Sequence, residues 1–502
     1  PPSAIALRAE TAAQHGMAGR HLCYLALGGN VGDSLRYISR AVRRVANLPG
    51  VRLRRTSSLF KTAPQYVTEQ PAFLNAVAEL ELAPDRLRDL HGLLSELKAI
   101  EAEIGRVSGG PRRGPRVVDL DLLAVGEEPL TLTDCTYPLN LPHAQMHERD
   151  FVLVPLAELC PEWRHPLLEG RPTVRTMLER VLRSEGMPGQ GPAGAHSQER
   201  PCQVIPAAGG LHGRAQGWYW ERGAQTHIMG ILNVTPDSFS DGGKHLQLED
   251  AVASAQAMVN AGASIIDVGG ETTKPGAAEV SVEQEIERVV PVIRALRERG
   301  MDVTISVDTR KAAVARAAVE AGADWINDVS GGEFDSAMLP LAAELMAPVV
   351  LMHMKGTPET MNSLVSYECV VGEVRDHLLA RRRAAEEAGV PAWNIILDPG
   401  IGFAKKIDEN LTLLRRCGEL VDALHPSPLL VSASRKKFLG TILGETDATQ
   451  RTFGNAACTA AAVAAGADFV RAHDVREMCQ TARVSDHIYR RSAQGLRTTS
   501  AL

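Results

Sequence analysis

The chain has 502 residues, a formal net charge of −6 and eight cysteines that form no C-x-x-C pair. At this length two or more domains are expected. The mildly acidic balance argues against a protein that binds nucleic acid or a membrane surface, and no apolar run approaches the roughly 18 residues that a membrane span needs. Scattered cysteines favour free thiols in a reducing compartment over disulfides or a zinc site.

Residues 1–20 are Ala-rich and polar and do not begin with Met. They could be the remainder of a processed targeting peptide, the tail of an upstream domain or an artificial start, and the sequence leaves these alternatives open. We expect this extension to be poorly ordered. The expected location is the cytoplasm, or the mitochondrion if a targeting peptide has been removed.

Residues 21–165 show the order β-α-β-β-α-β, which is typical of a ferredoxin-like α+β sandwich. Asp33 is a suitable cap for the first helix, and Pro84 stands near the first turn of the second. The predicted elements are a strand that begins at His21 and ends in the Gly-Gly-Asn turn 28–30, helix 34–46, strands 51–60 and 72–82, helix 84–104 and strand 117–125.

The last of these strands contains two acids within an apolar run, VVDLDLLAV. Asp119 and Asp121 stand at i and i+2, so both carboxylates lie on one face of the strand. Two buried like charges are unfavourable unless a cation lies beside them, and paired Mg2+ ions that carry nucleotide phosphates would suit the position. The alternative is a half-exposed edge strand with two solvated acids.

A Gly/Pro-rich loop just before this strand carries four arginines, Arg106, Arg112, Arg113 and Arg116. Acids for metal ions next to a mobile cationic loop are typical of a phosphoryl-transfer site. The alternative is an ordinary solvated basic loop.

The motifs LALGGNVGD, FLNAV, GPRVVDLDLL and LPHAQMHERDFVLVPL resemble those of the 6-hydroxymethyl-7,8-dihydropterin pyrophosphokinase family. The resemblance implies transfer of pyrophosphate from ATP to the hydroxymethyl group of the pterin, with release of AMP. It also implies site residues: Asp119 and Asp121 for two Mg2+, Thr62, Phe73, Asn75 and Phe151 for the pterin, and Glu101, Arg106, Arg116, His143 and Arg149 for ATP. The catalytic set would be Arg106, Arg116, Asp119 and Asp121.

Three positions of this half depart from the family pattern. Ser108 replaces an arginine, Arg113 replaces a tryptophan, and Ala144 replaces an aromatic residue. Arg112 or Arg113 could restore the charge of the loop. If neither does, the domain would be slow, or would be a non-catalytic pterin-binding or interaction module.

Residues 166–222 are predicted to be a linker, because the stretch SEGMPGQGPAGAHSQERPCQ is rich in Gly, Pro, Gln and Ser. A short helix over 173–182 precedes that stretch. We expect Trp218 and Trp220 to pack at the base of the following domain.

Residues 223–495 alternate eight β-rich runs with Ala-rich segments of helical periodicity, which is the pattern of a (β/α)8 TIM barrel. In that fold the C-terminal ends of the strands meet at one mouth. The polar residues that follow the eight runs are Asn233, Asp267, Asp308, Asn327 with Asp328, His353 with Lys355, Asp398, Ser434 to Lys436, and Arg471 with His473 and Asp474.

These strand ends divide into two chemical groups. The earlier ends supply acids and amides, which suit a flat heterocycle with several N–H groups. The last two supply Lys436, Arg471 and His473 as cations, near the usual phosphate site of the fold. We therefore expect a heterocycle deep in the barrel, a pyrophosphate beside the last two strands, and Mg2+ on the oxygens of Asn233 and Asp241.

The motifs MGILNVTPDSFSDGG, DVGGETTKPGAAEVS, SVDTRK, LMHM, LDPGIGF, SRKKFLG and VRAHDV resemble those of the dihydropteroate synthase family. The resemblance implies condensation of the pterin pyrophosphate with p-aminobenzoate, with release of pyrophosphate, at a site where sulfonamides compete in this family. The implied site residues are Asp267, Asp308, Asn327, Asp398 and Lys436 for the pterin, Thr273, Phe403 and Ser434 for p-aminobenzoate, Lys274, Arg471 and His473 for pyrophosphate, and Asn233 and Asp241 for Mg2+. Asp308, Asp398 and Lys436 would be catalytic, and Lys274 replaces a family arginine.

The implied product of the first half is the implied substrate of the second. We therefore expect a bifunctional folate-biosynthesis enzyme whose partners are ATP, 6-hydroxymethyl-7,8-dihydropterin and p-aminobenzoate. By resemblance it would be a homodimer through the barrel. A pterin barrel that serves methyl transfer is a further alternative, which the cations of SRKK and VRAHD disfavour.

Overall fold

The computed structural model describes residues 21–107, 109, 113–132, 139–184, 200–208, 218–235, 244–272, 279–357 and 360–490. They form two compact units, one built mainly from the chain up to Pro206 and the other mainly from Trp220 onward. No helix in these ranges combines the length and the apolar character that a membrane crossing needs, and no disulfide joins the cysteines they contain. The predicted extension, 1–20, lies outside the described residues.

The first unit is a mixed layer of strands and helices. Its strands are β1 (His21–Gly29), β2 (Val51–Thr56), β3 (Leu59–Thr62), β4 (Phe73–Leu82), β5 (Asp119–Val125), β6 (Leu130–Leu132), β7 (Leu139–Leu141) and β8 (Cys202–Pro206). Its helices are α1 (Ser34–Ala46), α2 (Pro84–Arg88), α3 (Leu90–Ile104), α4 (Asp150–Leu159) and α5 (Val174–Ser184). The main sheet runs β5-β1-β4-β3-β8, β2 also pairs with β4, and β6 pairs with β7.

The sheet of the first unit buries an apolar layer on each face. Helices α1 and α3 pack on one face. Helices α4 and α5 pack on the other, where they cover Tyr24, Val77 and Leu123. The α+β class is therefore confirmed, and the second helical layer is a feature that the sequence analysis did not predict.

Three predicted elements differ in the structure. The predicted strand 51–60 is two strands, interrupted at Ser57 and Ser58. The predicted helix 84–104 is also two helices, because the Asp89 side chain accepts a hydrogen bond from Gly92 N at 2.8 Å and begins a new helix. The prediction of a linker was wrong for Cys202–Pro206, which form β8 and pair with β3.

The second unit is a barrel of parallel strands surrounded by helices. A short strand β9 (Tyr219–Glu221) precedes it, and the barrel strands are β10 (His227–Asn233), β11 (Ile265–Gly269), β12 (Thr304–Asp308), β13 (Trp325–Asp328), β14 (Val349–Met352), β15 (Ile395–Asp398), β16 (Leu430–Val431) and β17 (Phe469–Ala472). Its helices are α6 (Lys244–Asn260), α7 (Val282–Glu298), α8 (Ala312–Glu320), α9 (Met338–Leu345), α10 (Val370–Glu387), α11 (Ile407–Arg415), α12 (Cys417–Leu424), α13 (Lys437–Leu443), α14 (Thr452–Ala464) and α15 (Val475–Tyr489).

The order of these strands confirms the predicted (β/α)8 barrel. The sheet runs β15-β14-β13-β12-β11-β10-β17-β16, and a parallel bridge between Leu397 and Leu429 joins its two ends. All eight strands are parallel, so their C-terminal ends lie at one mouth.

Aromatic side chains fill the base of the barrel. Trp325 and Phe469 are fully buried, with ring centroids 5.2 Å apart, and Trp220 packs 5.8 Å and 5.7 Å from them. The prediction was therefore correct for Trp220. It was wrong for Trp218, whose exposed fraction is 39%.

Leu93, which is fully buried in α3, provides a test of the core of the first unit. We expect Leu93→Ala to lower the free energy of unfolding by about 2–5 kcal/mol, since it leaves a cavity. Urea unfolding of the full chain measures this. The matched control is Leu167→Ala, whose side chain is exposed and whose loss should cost less than about 0.5 kcal/mol. Equal effects of the two changes would contradict this description of the core.

Candidate active sites

A cavity of about 280 Å³ opens in the first unit. It lies where the ends of β3, β4 and β5 meet the start of α4. Nine of the predicted site residues line it: Thr62, Phe73, Asn75, Arg116, Asp119, Asp121, His143, Arg149 and Phe151. The structure therefore brings together most of the residues that the first set of motifs indicated.

Asn75 and Thr62 form a buried polar floor in this cavity. Antiparallel pairing of β3 with β4 makes the two residues diagonal neighbours, since Asn75 is opposite Phe60 and Thr62 is opposite Phe73. Asn75 Nδ2 donates to Thr62 Oγ1 at 2.7 Å. Gly28 of β1 faces the same amide, and a Cβ atom there would stand 2.6 Å from Asn75 Oδ1. The glycine in LALGGN is thus required for the close approach of β1 to this amide.

Asp119 and Asp121 lie on the cavity face of β5, as their spacing predicted. The neighbouring cation is Lys98 of α3, whose Nζ is 3.9 Å from Asp119 and 3.7 Å from Asp121. Burial and the adjacent Asp119 carboxylate raise the pKa of Asp121. The sequence analysis missed Lys98, although its i, i+3 spacing from Glu101 was a signal for an ion pair on the same helix.

Glu101 and Arg106 do not line the cavity. Glu101 is buried and accepts a hydrogen bond from Leu120 N at 2.8 Å, so it holds the backbone of β5 between the two aspartates. Arg106 pairs with Glu101 at 2.5 Å and also with Asp119. In this structure both residues support the acids, and their predicted contact with ATP stays a prediction.

Among the departures from the family pattern that the structure describes in the first unit, Arg113 lines the cavity. Its guanidinium lies 3.7 Å from the centroid of the Tyr66 ring, and its carbonyl accepts from Gln70 Nε2 at 3.1 Å. Tyr66 and Gln70 also line the cavity. Arg113 therefore adds positive charge beside Arg116 and Arg149. Ser108 and Arg112 lie outside the described residues, and Ala144 is exposed.

The mouth of the barrel holds the second set of predicted residues. Register places Asp308 of β12 beside Gly269 of β11 and Asn327 of β13. Arg471 of β17 reaches across the barrel, with Nε 2.6 Å from Asp267 Oδ2 and Nη2 2.6 Å from Asp308 Oδ2. Asn327 Nδ2 donates to the same Asp267 oxygen at 2.9 Å.

Burial changes the proton affinity of these groups. It raises the pKa of Asp308 to about 7, even though Arg471 opposes the shift. Burial also raises the pKa of Asp398 to about 6, although the hydrogen bond from Gly400 N favours the ionised carboxylate. Burial and the charge of Arg471 together lower the pKa of Lys436 to about 8. Asp267 Oδ1 is buried and has no hydrogen-bond partner among the described residues. The mouth thus offers buried acceptors to a ligand that carries N–H groups.

One prediction about the cations of the mouth was wrong, and another stays a prediction. Arg471 is a cation whose guanidinium binds Asp267 and Asp308, and its contact with pyrophosphate stays a prediction. His473 is not a cation, because burial and the neighbouring Arg435 and Arg471 lower its pKa to about 3. The Nδ1 atom of this neutral imidazole lies 2.9 Å from Ser434 Oγ.

The predicted p-aminobenzoate and metal residues are only partly described. Lys436 Nζ lies 3.7 Å from the ring centroid of Phe403, and Ser434 is buried. Asn233 is exposed at the end of β10. Asp241, Thr273 and Lys274 lie outside the described residues. Within those residues no cluster of three or more His, Cys, Asp or Glu side chains could hold a metal ion.

Comparisons with known proteins divide the chain in the same way. Residues 24–161 match the family of 7,8-dihydro-6-hydroxymethylpterin-pyrophosphokinase, and residues 229–473 match the family of pterin binding enzymes. The folate synthesis bifunctional protein, mitochondrial, of Arabidopsis thaliana is 37% identical over 495 residues, which cover 94% of this chain and 84% of that protein.

Two further relatives extend the comparison. The folic acid synthesis protein fol1 of Schizosaccharomyces pombe is 41% identical over 93% of this chain, which spans only 59% of that protein. A structure of Xanthomonas albilineans dihydropteroate synthase with 4-aminobenzoic acid is 39% identical, with a TM-score of 0.51, and covers 56% of this chain and 98% of its own.

The Arg471 bridge makes a prediction about stability and pH. Asp308 has a pKa of about 7 in the folded chain, above the roughly 3.9 of an unfolded Asp. Arg471→Met should raise the folded value further, because an opposing charge is lost. Below about pH 7 Asp308 is protonated in both folded proteins. The difference in the free energy of unfolding between wild type and Arg471→Met should therefore grow above pH 7, toward about 3–5 kcal/mol.

Urea unfolding of both proteins at several pH values measures this difference. The control is Arg316→Met, which removes an exposed pair with Glu344 and should cost less than about 1 kcal/mol without a trend above pH 7. A loss for Arg471→Met that does not depend on pH would show that its charge does not act on Asp308.

Proposed function

The chain belongs to the family of bifunctional folate synthesis proteins, and we propose that it catalyses two consecutive steps of folate biosynthesis. In the first, the hydroxymethyl oxygen of 6-hydroxymethyl-7,8-dihydropterin attacks the β-phosphorus of ATP, and AMP leaves. In the second, the amine of p-aminobenzoate forms a C–N bond with the pterin methylene carbon, and the C–O bond to pyrophosphate breaks. The observation that carries the proposal is that nine motif residues line one cavity of the first unit, and that Arg471, Asp267 and Asp308, distant in sequence, meet at the mouth of the barrel.

The cavity of the first unit suits the first reaction. The Asn75 amide can both donate to and accept from a pterin edge, and Phe73 and Phe151 supply apolar surface for its ring. Arg113, Arg116 and Arg149 place positive charge where a triphosphate would lie. These cations would orient the triphosphate toward the hydroxymethyl group.

Asp119 and Asp121 would hold Mg2+ in this cavity. Both residues line it, and Mg2+ in such sites needs only one or two protein carboxylates in addition to water and phosphate oxygens. The donor set therefore fits the ion. When bound, Mg2+ would offset the negative charge of the phosphates. Lys98 Nζ lies within 3.9 Å of both acids and offsets part of their charge.

The barrel mouth suits the second reaction. Ionised Asp308 and Asp398 would accept N–H bonds from the pterin, with Asn327 beside them. Lys436 and the ring of Phe403 would bound the path of p-aminobenzoate. Support for that substrate also comes from the Xanthomonas dihydropteroate synthase, whose structure was determined with 4-aminobenzoic acid. We propose a cytoplasmic or mitochondrial location, since the name of the Arabidopsis relative places that protein in mitochondria.

A variant of Asp119 distinguishes this proposed function from the alternative that the first domain is not catalytic. We expect wild type to convert ATP, hydroxymethyl-dihydropterin and p-aminobenzoate into AMP and dihydropteroate. Asp119→Asn should lower AMP formation by about 100-fold, since a charged group is lost from the phosphate site. It should leave dihydropteroate formation from supplied pterin pyrophosphate unchanged.

The reciprocal variant is the control for this experiment. Asp398→Asn should keep AMP formation and lose the second reaction. Chromatographic assay of AMP and dihydropteroate measures both activities. Undiminished AMP formation by Asp119→Asn would exclude its metal-binding role, and AMP without dihydropteroate in wild type would exclude the proposed activity of the barrel.

We also propose a homodimer through the barrel. Helix α14 packs against both α13 and α15. The three helices expose the large apolar side chains of Ile442, Leu443, Phe453, Val484 and Ile488. Phe453 is 88% exposed, and an exposed apolar surface of this kind is typical of an interface.

Sedimentation velocity tests the dimer. Phe453→Asp combined with Ile488→Asp should give a monomer, because the interface would bury two charges without partners. The control is Val107→Asp, an equally exposed apolar position of the first unit, which should leave the dimer intact. A dimeric double variant would exclude this surface as the interface.

A further inference from the structure

Lys405 is a buried lysine to which neither set of motifs assigned a role. It follows the predicted p-aminobenzoate residue Phe403 by two positions and is 9% exposed. Its Nζ lies 2.9 Å from Gly400 O, 3.0 Å from Phe403 O and 3.0 Å from His353 Nδ1. An ammonium has three donors, so these three acceptors use all of them.

The acceptors belong to two neighbouring segments at the mouth of the barrel. Gly400 and Phe403 follow β15, and His353 follows β14. The segments are also joined by His353 N, which donates to Asp398 O at 2.9 Å. Gly400 has a left-handed φ of 66° and would clash with the carbonyl of His353 if it carried a Cβ. Lys405 therefore lies at the crossing of two tightly packed loops.

The predicted site residues of this region depend on the same loop. Gly400 N donates to Asp398 Oδ1 at 2.7 Å, so the turn that Lys405 stabilises also orients the carboxylate predicted to bind the pterin. The carbonyl of Phe403 is bound directly by Lys405, while its ring lies against Lys436. Loss of the Lys405 ammonium would leave Phe403 O and His353 Nδ1 without that donor, while Gly400 O would keep its hydrogen bond from Phe403 N at 3.1 Å.

The pKa values of Lys405 and its neighbours are consistent with a buried ammonium that donates to His353. Burial lowers the pKa of Lys405 to about 7, with Asp398 opposing the shift and Lys436 and Lys355 adding to it. Burial and the charge of Lys405 lower the pKa of His353 to about 2, with His377 also facing it. His353 is therefore neutral, and its Nδ1 is free to accept from Lys405. The hydrogen bond from Gly400 N and the charges of Lys436, Arg471 and Lys405 all oppose the rise in the pKa of Asp398 that burial causes.

We infer that Lys405 is a positioning residue of the second reaction, which ties the loops after β14 and β15 together and sets positive charge beside Asp398. The inference rests on the proposed function of the barrel. It gives Lys405 two separable effects. One is mechanical and acts through the loop that carries Asp398 and Phe403, and the other is electrostatic and acts on the Asp398 carboxylate.

The pH profile of kcat/KM for the second reaction separates these effects. Lys405→Met removes a positive charge that lowers the pKa of Asp398. The acid limb of the profile, where kcat/KM rises as Asp398 ionises, should therefore move to higher pH by roughly 1 unit. Lys405→Arg keeps the charge and should leave the limb near its wild-type position. The control Lys406→Met removes the exposed neighbouring lysine and should change neither the limb nor kcat/KM.

Full-length protein, supplied with pterin pyrophosphate and p-aminobenzoate, is used for every profile. If Lys405→Met does not fold, Lys405→Gln, which keeps one donor but not the charge, should show the same shift. An acid limb that stays in place while kcat/KM falls equally at all pH values would overturn the inference. So would a limb that moves equally in Lys405→Arg. An inactive wild type would instead exclude the proposed function, which is a different outcome.

Discussion

The second site depends on one buried ion cluster, in which Arg471 bridges Asp267 and Asp308 at 2.6 Å each. These three residues come from β11, β12 and β17, so the bridge forms only when the barrel is closed. A buried cation between two carboxylates offsets part of the cost of taking them out of water. The compensation is incomplete, because Asp308 keeps a pKa of about 7 and Asp267 Oδ1 has no partner among the described residues. A ligand with ring N–H groups would complete the cluster.

In the first unit, neighbouring cations likewise offset the cost of placing two carboxylates close together. Asp119 and Asp121 share one face of β5, and Lys98 and Arg106 stand beside them. Glu101 lies behind the strand and binds both cations as well as Leu120 N. In both units, then, acids that the proposed reactions require are held beside protein cations. Such preorganisation lowers the reorganisation that a reaction must otherwise include.

The sequence was sufficient for the features that a local pattern determines. The i, i+2 spacing placed Asp119 and Asp121 on one face, and the alternation of strands and helices placed Asp308 and Asp398 at one mouth. It was insufficient where the result depends on distant neighbours. His473 is neutral because burial, together with the charges of Arg435 and Arg471, lowers its pKa. Lys98 reaches the aspartates from another element, and Cys202–Pro206 form a strand because they pair with β3. The helix cap at Asp89, which divides one predicted helix into two, was a local signal in the sequence. It was missed because the apolar periodicity continues across it.

Proton linkage tests most directly the claim that buried, partly protonated carboxylates form the pterin site of the barrel. Calorimetric titration with a pterin that lacks pyrophosphate, in two buffers of different ionisation enthalpy, measures the protons released on binding. At about pH 6.5 wild type should release protons, because Asp308 and Asp398 must ionise to accept the ring N–H groups. Asp308→Asn should release fewer, and the difference should vanish near pH 9. Equal release by the two proteins at both pH values would contradict the account.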